Sequence, residues 1–244
     1  MTTLPTLPTA PTSTWTPAAP TRDEVRTALV VALRALAEHE FGFNGHVTAR
    51  DVDAGTYWAN PFGVPLALVE PDDLVRLDDD GHDVENPRGH RVNGFAGNLA
   101  IHRARPDAAA VVHLHTAHGF AWSSLDRPLE PVTTDAALVT GLQALHPRFG
   151  EAGVAPADAL GADAKLLLQR THGFITLGRS VDEAAFYLIA AERAAHANLL
   201  LRDEPGRTVV APETAARWTL TPELAEQHFA PYRARALAAL GGAR

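Results

Sequence analysis

Two polar capping motifs are each followed by hydrophobic residues at the spacing of a helix. Thr21 with Glu24 forms a T-x-x-E capping box, and the apolar residues behind it predict a helix to about Ala37. A second box, Ser180 with Glu183, opens a long alanine-rich helix. Further helices are predicted over about 93–105, over about 157–170, and from Pro222 onward, after Thr221.

Short apolar runs bounded by glycine and proline predict the strands. Segment 41–51 predicts a turn that runs into a strand, and segment 56–69 predicts a strand, a turn and a second strand. Segment 71–84 predicts a short helical turn, a strand and an Asp-Gly hairpin turn. Two buried strands are predicted over 108–115 and 171–178. Because strands and helices are interspersed without a strict βαβ repeat, the pattern favours one α/β domain with a mixed or antiparallel sheet.

The first 20 residues are rich in threonine and proline and carry no charged side chain. Their prolines exclude a helix or a central strand, so we expect a flexible tail over 1–20 and one domain over 21–244. The start lacks the basic residues and continuous apolar core of a signal peptide, and no apolar run approaches the roughly 18 residues of a membrane span. We therefore expect a cytoplasmic protein.

Charge and residue usage narrow the function classes. The 244 residues include 21 basic and 29 acidic side chains, a net charge of −8, so neither a nucleic acid nor a membrane is expected as a partner. No cysteine is present, which excludes a disulfide framework, an iron–sulfur cluster and a thiol nucleophile. Because cysteine is absent, any transition-metal site must be built from histidine, aspartate and glutamate side chains, and the chain has twelve histidines.

Two histidines separated by one residue end the predicted strand 108–115. Strand side chains alternate between faces, so His113 and His115 project together, a spacing that suits two ligands of one divalent metal. The third ligand must come from elsewhere, and His172, which precedes a glycine at the start of another predicted strand, is a candidate. The spacing alone leaves a second interpretation open, in which the pair is simply two polar residues at a strand end.

Four separated motifs together resemble the class II aldolase/adducin family over roughly residues 22–205. The likeness is specific because all four occur in the family's order, and the GHVTARD and NPFG forms look closest to its adducin-like branch. The motifs are NGHVTARD (44–51), WANPFGV (58–64), RPDAAAVVHLHTAHGFAWS (105–123) and THGFITLG (171–178).

The resemblance implies a fold, an assembly and a chemistry. The expected fold is a single α/β/α sandwich domain around a largely antiparallel sheet, and the expected assembly is a homotetramer with active sites near subunit interfaces. It implies a divalent metal, commonly zinc, held by three histidines that match His113, His115 and His172. In family enzymes the metal binds carbonyl and hydroxyl oxygens and stabilises an enediolate while a carbon–carbon bond breaks or forms.

The sequence departs from the family's sugar-phosphate aldolases at several places. Their general acid/base glutamate falls on Gly94, which cannot transfer a proton. Two phosphate-binding serines read Val92 and Asn93, a hydroxyl-rich turn reads Asn60-Pro61-Phe62-Gly63, and an asparagine of the first loop reads His46. Because hydroxyl donors are lost, we expect a substrate without phosphate that is smaller, more apolar or aromatic, with a carboxylate or α-oxygen for the metal.

Other side chains are candidates for the roles that these changes leave open. His46 is the most attractive proton carrier because imidazole titrates near neutral pH, but a loop histidine that hydrogen-bonds the backbone is the preferred interpretation. Asp135 could orient a metal-binding histidine or cap a turn. The candidate proton carriers are His46, Asn93, His118 and Asp135, and the candidate substrate contacts are Asn60, Phe62, Gly63 and His118.

Two arginines and one helical pair have alternative interpretations. Arg50 and Arg105 could receive a carboxylate, although for Arg105 a charge at a helix C-terminus is preferred. Glu192 and His196 are one helical turn apart and are expected to form a solvated or interface pair.

Three functions are carried forward from the sequence. The first is a divalent-metal-dependent lyase that acts on a non-phosphorylated hydroxy- or oxo-acid. The second is a non-haem iron oxygenase on an aryl-pyruvate or mandelate-like acid. The third is a non-catalytic, adducin-like binding module, which the retention of all three histidines disfavours. Zinc is the expected metal, and iron, manganese and cobalt remain open because three imidazoles can hold any of them.

Overall fold

The computed structural model describes residues 20–146 and 154–241, with the backbone alone over 40–44. The predicted tail therefore lies outside the described residues, apart from Pro20. The described chain forms one α/β/α domain, as the sequence predicted, with helices packed on both faces of a central sheet.

The sheet has eight strands, and every neighbouring pair is antiparallel except β6 with β7. Its spatial order is β4-β3-β2-β1-β5-β8-β7-β6, so β5 lies between β1 and β8 in the interior of the sheet. The strands are β1 (Glu40–Arg50), β2 (Thr56–Ala59), β3 (Val75–Asp78), β4 (Asp83–Glu85), β5 (Ala110–Thr116), β6 (Gln143–His146), β7 (Leu166–Gln169) and β8 (Gly173–Gly178).

The helices divide between the two faces of the sheet. Helix α6 and its neighbours α1 and α8 share one core with Val112 and Leu114 of β5, whereas α2 and α5 share another with Val111. The helices are α1 (Arg22–Leu36), α2 (Phe95–Ala104), α3 (Ala117–Ser123), α4 (Thr134–Thr140), α5 (Pro156–Leu160), α6 (Val181–Leu201), α7 (Pro212–Trp218) and α8 (Pro222–Gly241). Within the described ranges, no helix is both long and apolar enough to cross a membrane.

The capping boxes differ in how completely they form. At Thr21 both halves are present, and the predicted first helix is confirmed. At Ser180 the hydroxyl accepts from the Glu183 backbone N–H as predicted, at 3.2 Å. The Glu183 carboxylate, however, accepts from the backbone N–H of Arg179, at 2.6 Å, and not from that of Ser180. This second cap is therefore only half of a capping box.

Three predicted elements are wrong. The turn expected at the start of 41–51 is part of β1, whose pairing with β5 is irregular between Glu40 and Gly45. The other two errors lie in short apolar runs. The second strand expected within 56–69 is a 3-10 turn, Leu66–Leu68. The helix expected over about 157–170 ends at Leu160, and the apolar run that follows is the strand β7. All four residues of β7 are buried, and a short run buried on both faces carries no periodicity that separates a strand from a helix. Helices α3, α4 and α7 and strand β6 were not predicted.

Candidate metal centre

Three histidines meet at one end of the interior strand β5. His113 and His115 share the face of β5 that carries Val111, as the alternation of strand side chains predicts. His172 lies in the turn between β7 and β8, one residue before β8 begins. One nitrogen from each ring can be chosen so that all three lie within 4.8 Å of one another. The histidine trio (His113, His115 and His172) therefore has the spacing of ligands around one cation.

The His113 ring is held in one tautomer by the strand beside it. Its Nδ1 lies 2.9 Å from the carbonyl oxygen of Phe174, and only a protonated Nδ1 can donate to that oxygen. Its Nε2 is buried and has no hydrogen-bond partner among the described residues. A buried nitrogen with a free lone pair is costly unless it has a ligand, so this atom fits a metal-binding role.

Burial keeps these imidazoles neutral at physiological pH. It lowers the pKa of His113 to about 3 and that of His172 to about 4, and it also lowers the pKa of His115. Neighbouring imidazoles lower the pKa values of His113 and His172 further, because two cations in one small space repel. Neutral rings keep the lone pair that a cation needs, so their electrostatics fit a metal centre.

The turn that carries His172 has an unusual backbone. Thr171 has φ +61° and Gly173 has φ +97°, so residues on both sides of His172 are left-handed. Ser123 at the end of α3 holds this turn twice. Its carbonyl oxygen accepts from the Thr171 N–H at 3.1 Å, and its hydroxyl oxygen accepts from the Gly173 N–H at 3.1 Å. The third histidine is thus positioned by a contact that local sequence does not reveal.

His46 lies on β1, the strand next to β5, beside the trio. It is paired with His113 in the antiparallel register of β1 and β5, and the two ring centroids are 5.5 Å apart. Burial, with a contribution from His115, lowers the pKa of His46 to about 4. On its other side is Gly94, the N-cap of α2, which has φ +69°. A Cβ built at Gly94 would overlap the His46 ring, so His46 takes the space that a side chain at position 94 would need.

Of the predicted substrate contacts in the loop after β2, Asn60 is buried, whereas Phe62 and Gly63 are exposed. The Asn60 amide is buried and bound to backbone: Oδ1 accepts from the Val47 N–H at 2.7 Å, and Nδ2 donates to the Gly45 oxygen at 3.2 Å. Asn60 therefore fixes the loop and has little capacity left for a substrate. Phe62 is 50% exposed, and Gly63 beside it has φ +85° and open space around it.

His118 is tied to a buried carboxylate on α6. The Glu192 carboxylate accepts from the His118 Nδ1 at 2.7 Å and from the backbone N–H groups of His118 and Gly119, at 2.9 and 2.7 Å. The expectation that Glu192 and His196 form a solvated or interface pair is therefore wrong. Glu192 fixes the start of α3, while His196 stacks on the His118 ring with centroids 4.0 Å apart.

Three other candidates, Asp135, Arg50 and Arg105, make contacts within the protein that give each a structural role without a substrate. Asp135, at the start of α4, bonds Arg193 of α6 at 3.0 Å. Arg50 donates to the carbonyl oxygens of His102 and Ala108, and Arg105 pairs with Asp107. Asn93 is exposed in the loop before Gly94. Of the four candidate proton carriers, only His46 is in ring contact with the trio.

Phe120 was missed by the sequence analysis. Its ring centroid lies 5.0 Å from that of His115, and the ring is 41% exposed, so it forms an apolar wall beside the trio. It follows His115 by five residues, and only the turn of β5 into α3 brings it back to that ring. Ser123 was missed for the same reason, since nothing in its sequence context indicates the β7–β8 turn.

The model of the family described as "Class II Aldolase and Adducin N-terminal domain" matches residues 27–199. The chain belongs to this family. It is 36% identical over 199 residues to a protein named decarboxylase NovR from Streptomyces niveus, covering 78% of this chain and 73% of that one. It is also 35% identical to a protein named 4-hydroxy-3-prenylphenylpyruvate oxygenase/4-hydroxy-3-prenylbenzoate synthase from Streptomyces roseochromogenus subsp. oscitans. That match covers 78% of this chain and 72% of the other.

A solved structure confirms the fold of this class II aldolase/adducin chain. An L-fuculose 1-phosphate aldolase from Glaciozyma antarctica superposes with a TM-score of 0.85 and 28% sequence identity, covering 93% of this chain and 96% of the other. The α/β/α architecture that the resemblance implied is therefore that of class II aldolases.

Proposed function

We propose that the chain is a divalent-metal-dependent lyase that cleaves a carbon–carbon bond in a non-phosphorylated hydroxy- or oxo-acid. The cleavage is of the aldol type or a decarboxylation. The observation that carries the proposal is the histidine trio: one nitrogen from each ring lies within 4.8 Å of the other two, and the buried Nε2 of His113 has no hydrogen-bond partner among the described residues. We propose zinc as the metal, because neutral imidazoles are common zinc ligands, with iron, manganese or cobalt as alternatives.

The chemistry divides between the cation and the chain. A divalent metal bound by the trio supplies Lewis-acid polarisation of a substrate oxygen. His46 is the proposed proton carrier, because its ring is next to His113 and fills the space beside Gly94. Because burial lowers its pKa to about 4, this imidazole is neutral and is in place to accept a proton from a substrate bound at the trio. Asn93, exposed in the preceding loop, is proposed to contact that substrate.

The walls of the site favour an apolar acid over a sugar phosphate. The loop before α2 offers Val92 and Asn93 and no hydroxyl group, and the turn at 60–63 offers an exposed phenyl ring. Phe120 adds a second aromatic surface beside His115. These surfaces lack the hydroxyl donors of the family's phosphate site and suit an aryl or alkyl group.

A second function, a non-haem iron oxygenase on an aryl-pyruvate or mandelate-like acid, is favoured by one specific observation. The relative named as a prenylphenylpyruvate oxygenase is 35% identical over most of both chains. Elemental analysis of the purified protein, combined with oxygen-uptake and pyruvate- or CO₂-release assays, separates the two. Bound iron with substrate-dependent oxygen uptake would replace the lyase proposal by the oxygenase.

His115→Ala tests the metal site directly. We expect the variant to fold and to lose most of its bound metal, because two imidazoles hold a cation far more weakly than three. His196→Ala, which removes an exposed histidine outside the trio, is the matched control. Unchanged metal content in His115→Ala would show that the ligand assignment is wrong. If the wild-type protein takes up no zinc, iron, manganese or cobalt, both enzyme functions are excluded and the adducin-like binding module remains.

His46→Gln tests the proton carrier separately. If His46 moves a proton, kcat falls by about 10² or more while metal content is unchanged. A variant with full kcat removes His46 from this role. The homotetramer implied by the family resemblance stays a prediction, which light scattering of the purified protein can test.

A further inference from the structure

We infer that Arg91 binds the carboxylate of the organic-acid substrate, an inference that rests on the function proposed above. Arg91 is exposed, and its guanidinium makes no hydrogen bond or ion pair within the part of the chain that the structure describes. A guanidinium offers five N–H donors in a planar fork that matches a carboxylate. None of the described residues occupies this fork.

The other cations considered as carboxylate receptors are already occupied. Arg50 is bound to backbone carbonyl oxygens, and Arg105 and Lys165 both pair with Asp107. Arg88, in the same loop as Arg91, pairs with Glu70 and Asp73. The two arginines that the sequence offered as carboxylate receptors, Arg50 and Arg105, therefore have no free donor fork. Arg91 is the cation near this loop with nothing bound to it among the described residues.

The backbone places Arg91 at the rim of the site. Its carbonyl oxygen accepts from the Phe62 N–H at 2.7 Å, which joins the two loops. Val92 packs against the small core of β2, β3 and α2, so the chain is anchored immediately after Arg91. Gly94, three residues on, touches His46. Three residues span at most about 10 Å, so the backbone of Arg91 lies within that distance of Gly94, which contacts His46 beside the trio.

The pairing of Arg91 with Phe62 indicates the chemical class of the ligand. Phe62 is 50% exposed and its main chain is bonded to that of Arg91, so an exposed apolar ring and a cation without a partner among the described residues extend from adjoining backbone positions. An aryl or alkyl acid can rest its apolar part on the ring while its carboxylate is bound by the guanidinium. A neutral molecule of the same shape would gain only the first contact.

Calorimetric titration of zinc-loaded protein with phenylpyruvate and with its neutral amide tests the inference. A charge-assisted hydrogen bond to a carboxylate predicts that Arg91→Gln weakens phenylpyruvate binding by about tenfold or more. Binding of the amide should not change. Arg91→Lys should recover part of the affinity, because it keeps the charge and loses the fork. The matched control, Arg217→Gln, removes an exposed arginine of α7 and should bind like wild type.

The outcomes separate this inference from the proposed function. If Arg91→Gln binds phenylpyruvate like wild type while His115→Ala does not bind it, Arg91 is a solvated cation and the inference is overturned, but the metal site stands. An equal loss for acid and amide also overturns it, because the effect is then not on the carboxylate. If wild type binds neither compound, or if His115→Ala binds both unchanged, the proposed function fails and the inference with it.

Discussion

The His46 imidazole occupies the space that a Cβ on Gly94 would need. The two positions are therefore linked: an imidazole at position 46 leaves no room for a side chain at position 94. The resemblance to the sugar-phosphate aldolases aligns position 94 with their acid/base glutamate. Here the side chain comes from β1, on the opposite side of the same small space.

This relationship predicts a coupling between two substitutions. Gly94→Ala combines the strain of a positive φ, about 1–2 kcal/mol, with overlap on the His46 ring, which costs about 1–3 kcal/mol more. In a His46→Ala background only the strain should remain. Urea unfolding of the single and double variants measures the coupling. Gly89→Ala is the matched control, because Gly89 has φ +66° and open space. Additive effects of the two substitutions would contradict the overlap.

A second prediction concerns the turn that carries His172. Ser123→Ala leaves the buried Gly173 N–H without its acceptor, which should cost about 1–3 kcal/mol of stability. Since the turn is then less firmly held, metal affinity should fall about tenfold. Zinc competition with a chromogenic chelator measures that affinity. Ser124→Ala, which changes the exposed neighbouring serine, should leave both quantities unchanged. Equal affinity in the two variants would show that Ser123 does not position His172.

The Glu192 carboxylate should be needed for the start of α3. Glu192→Gln keeps one oxygen and replaces the other by an NH₂ group, so the N–H of His118 or that of Gly119 loses its acceptor. We expect a loss of about 1.5–3 kcal/mol, since these hydrogen bonds go to a charged acceptor. Chemical unfolding measures the loss, with Glu204→Gln, at an exposed position, as the control. Equal stability of the two variants would mean that water replaces the carboxylate.

Acid should destabilise the fold through His102. This ring is fully buried, with Nδ1 2.8 Å from the Ala108 carbonyl oxygen and Nε2 2.9 Å from the Thr48 hydroxyl. Burial lowers its pKa from 6.5 to about 4. The unfolded chain therefore binds more protons between those values, and stability falls as pH drops below 6.5, by at most about 1.4 kcal/mol per pH unit from this group.

Urea unfolding of metal-free protein between pH 7.5 and 4.5 tests this pH dependence, and His102→Gln should reduce the slope on the acid side. The control is His82→Gln, which changes an exposed histidine on the β3–β4 turn. An unchanged slope in His102→Gln would assign the acid sensitivity to other groups.

The sequence by itself determined those features that depend on neighbours in the chain. Strand alternation puts His113 and His115 on one face whatever the rest of the fold does. The capping box at Thr21 needs only residues three apart, and the hairpin after β3 needs only its Asp-Gly turn. The order of the family motifs likewise gave the α/β/α architecture.

Only the tertiary structure decided which distant groups meet. The run at 166–169 became an interior strand because both of its faces are covered, a fact that its own residues do not contain. His46 reaches His113 through sheet register, Ser123 holds the His172 turn across 50 residues, and Glu192 reaches α3 across 73. Such contacts depend on how layers pack, because local spacing fixes the direction of a side chain but not the partner it finds.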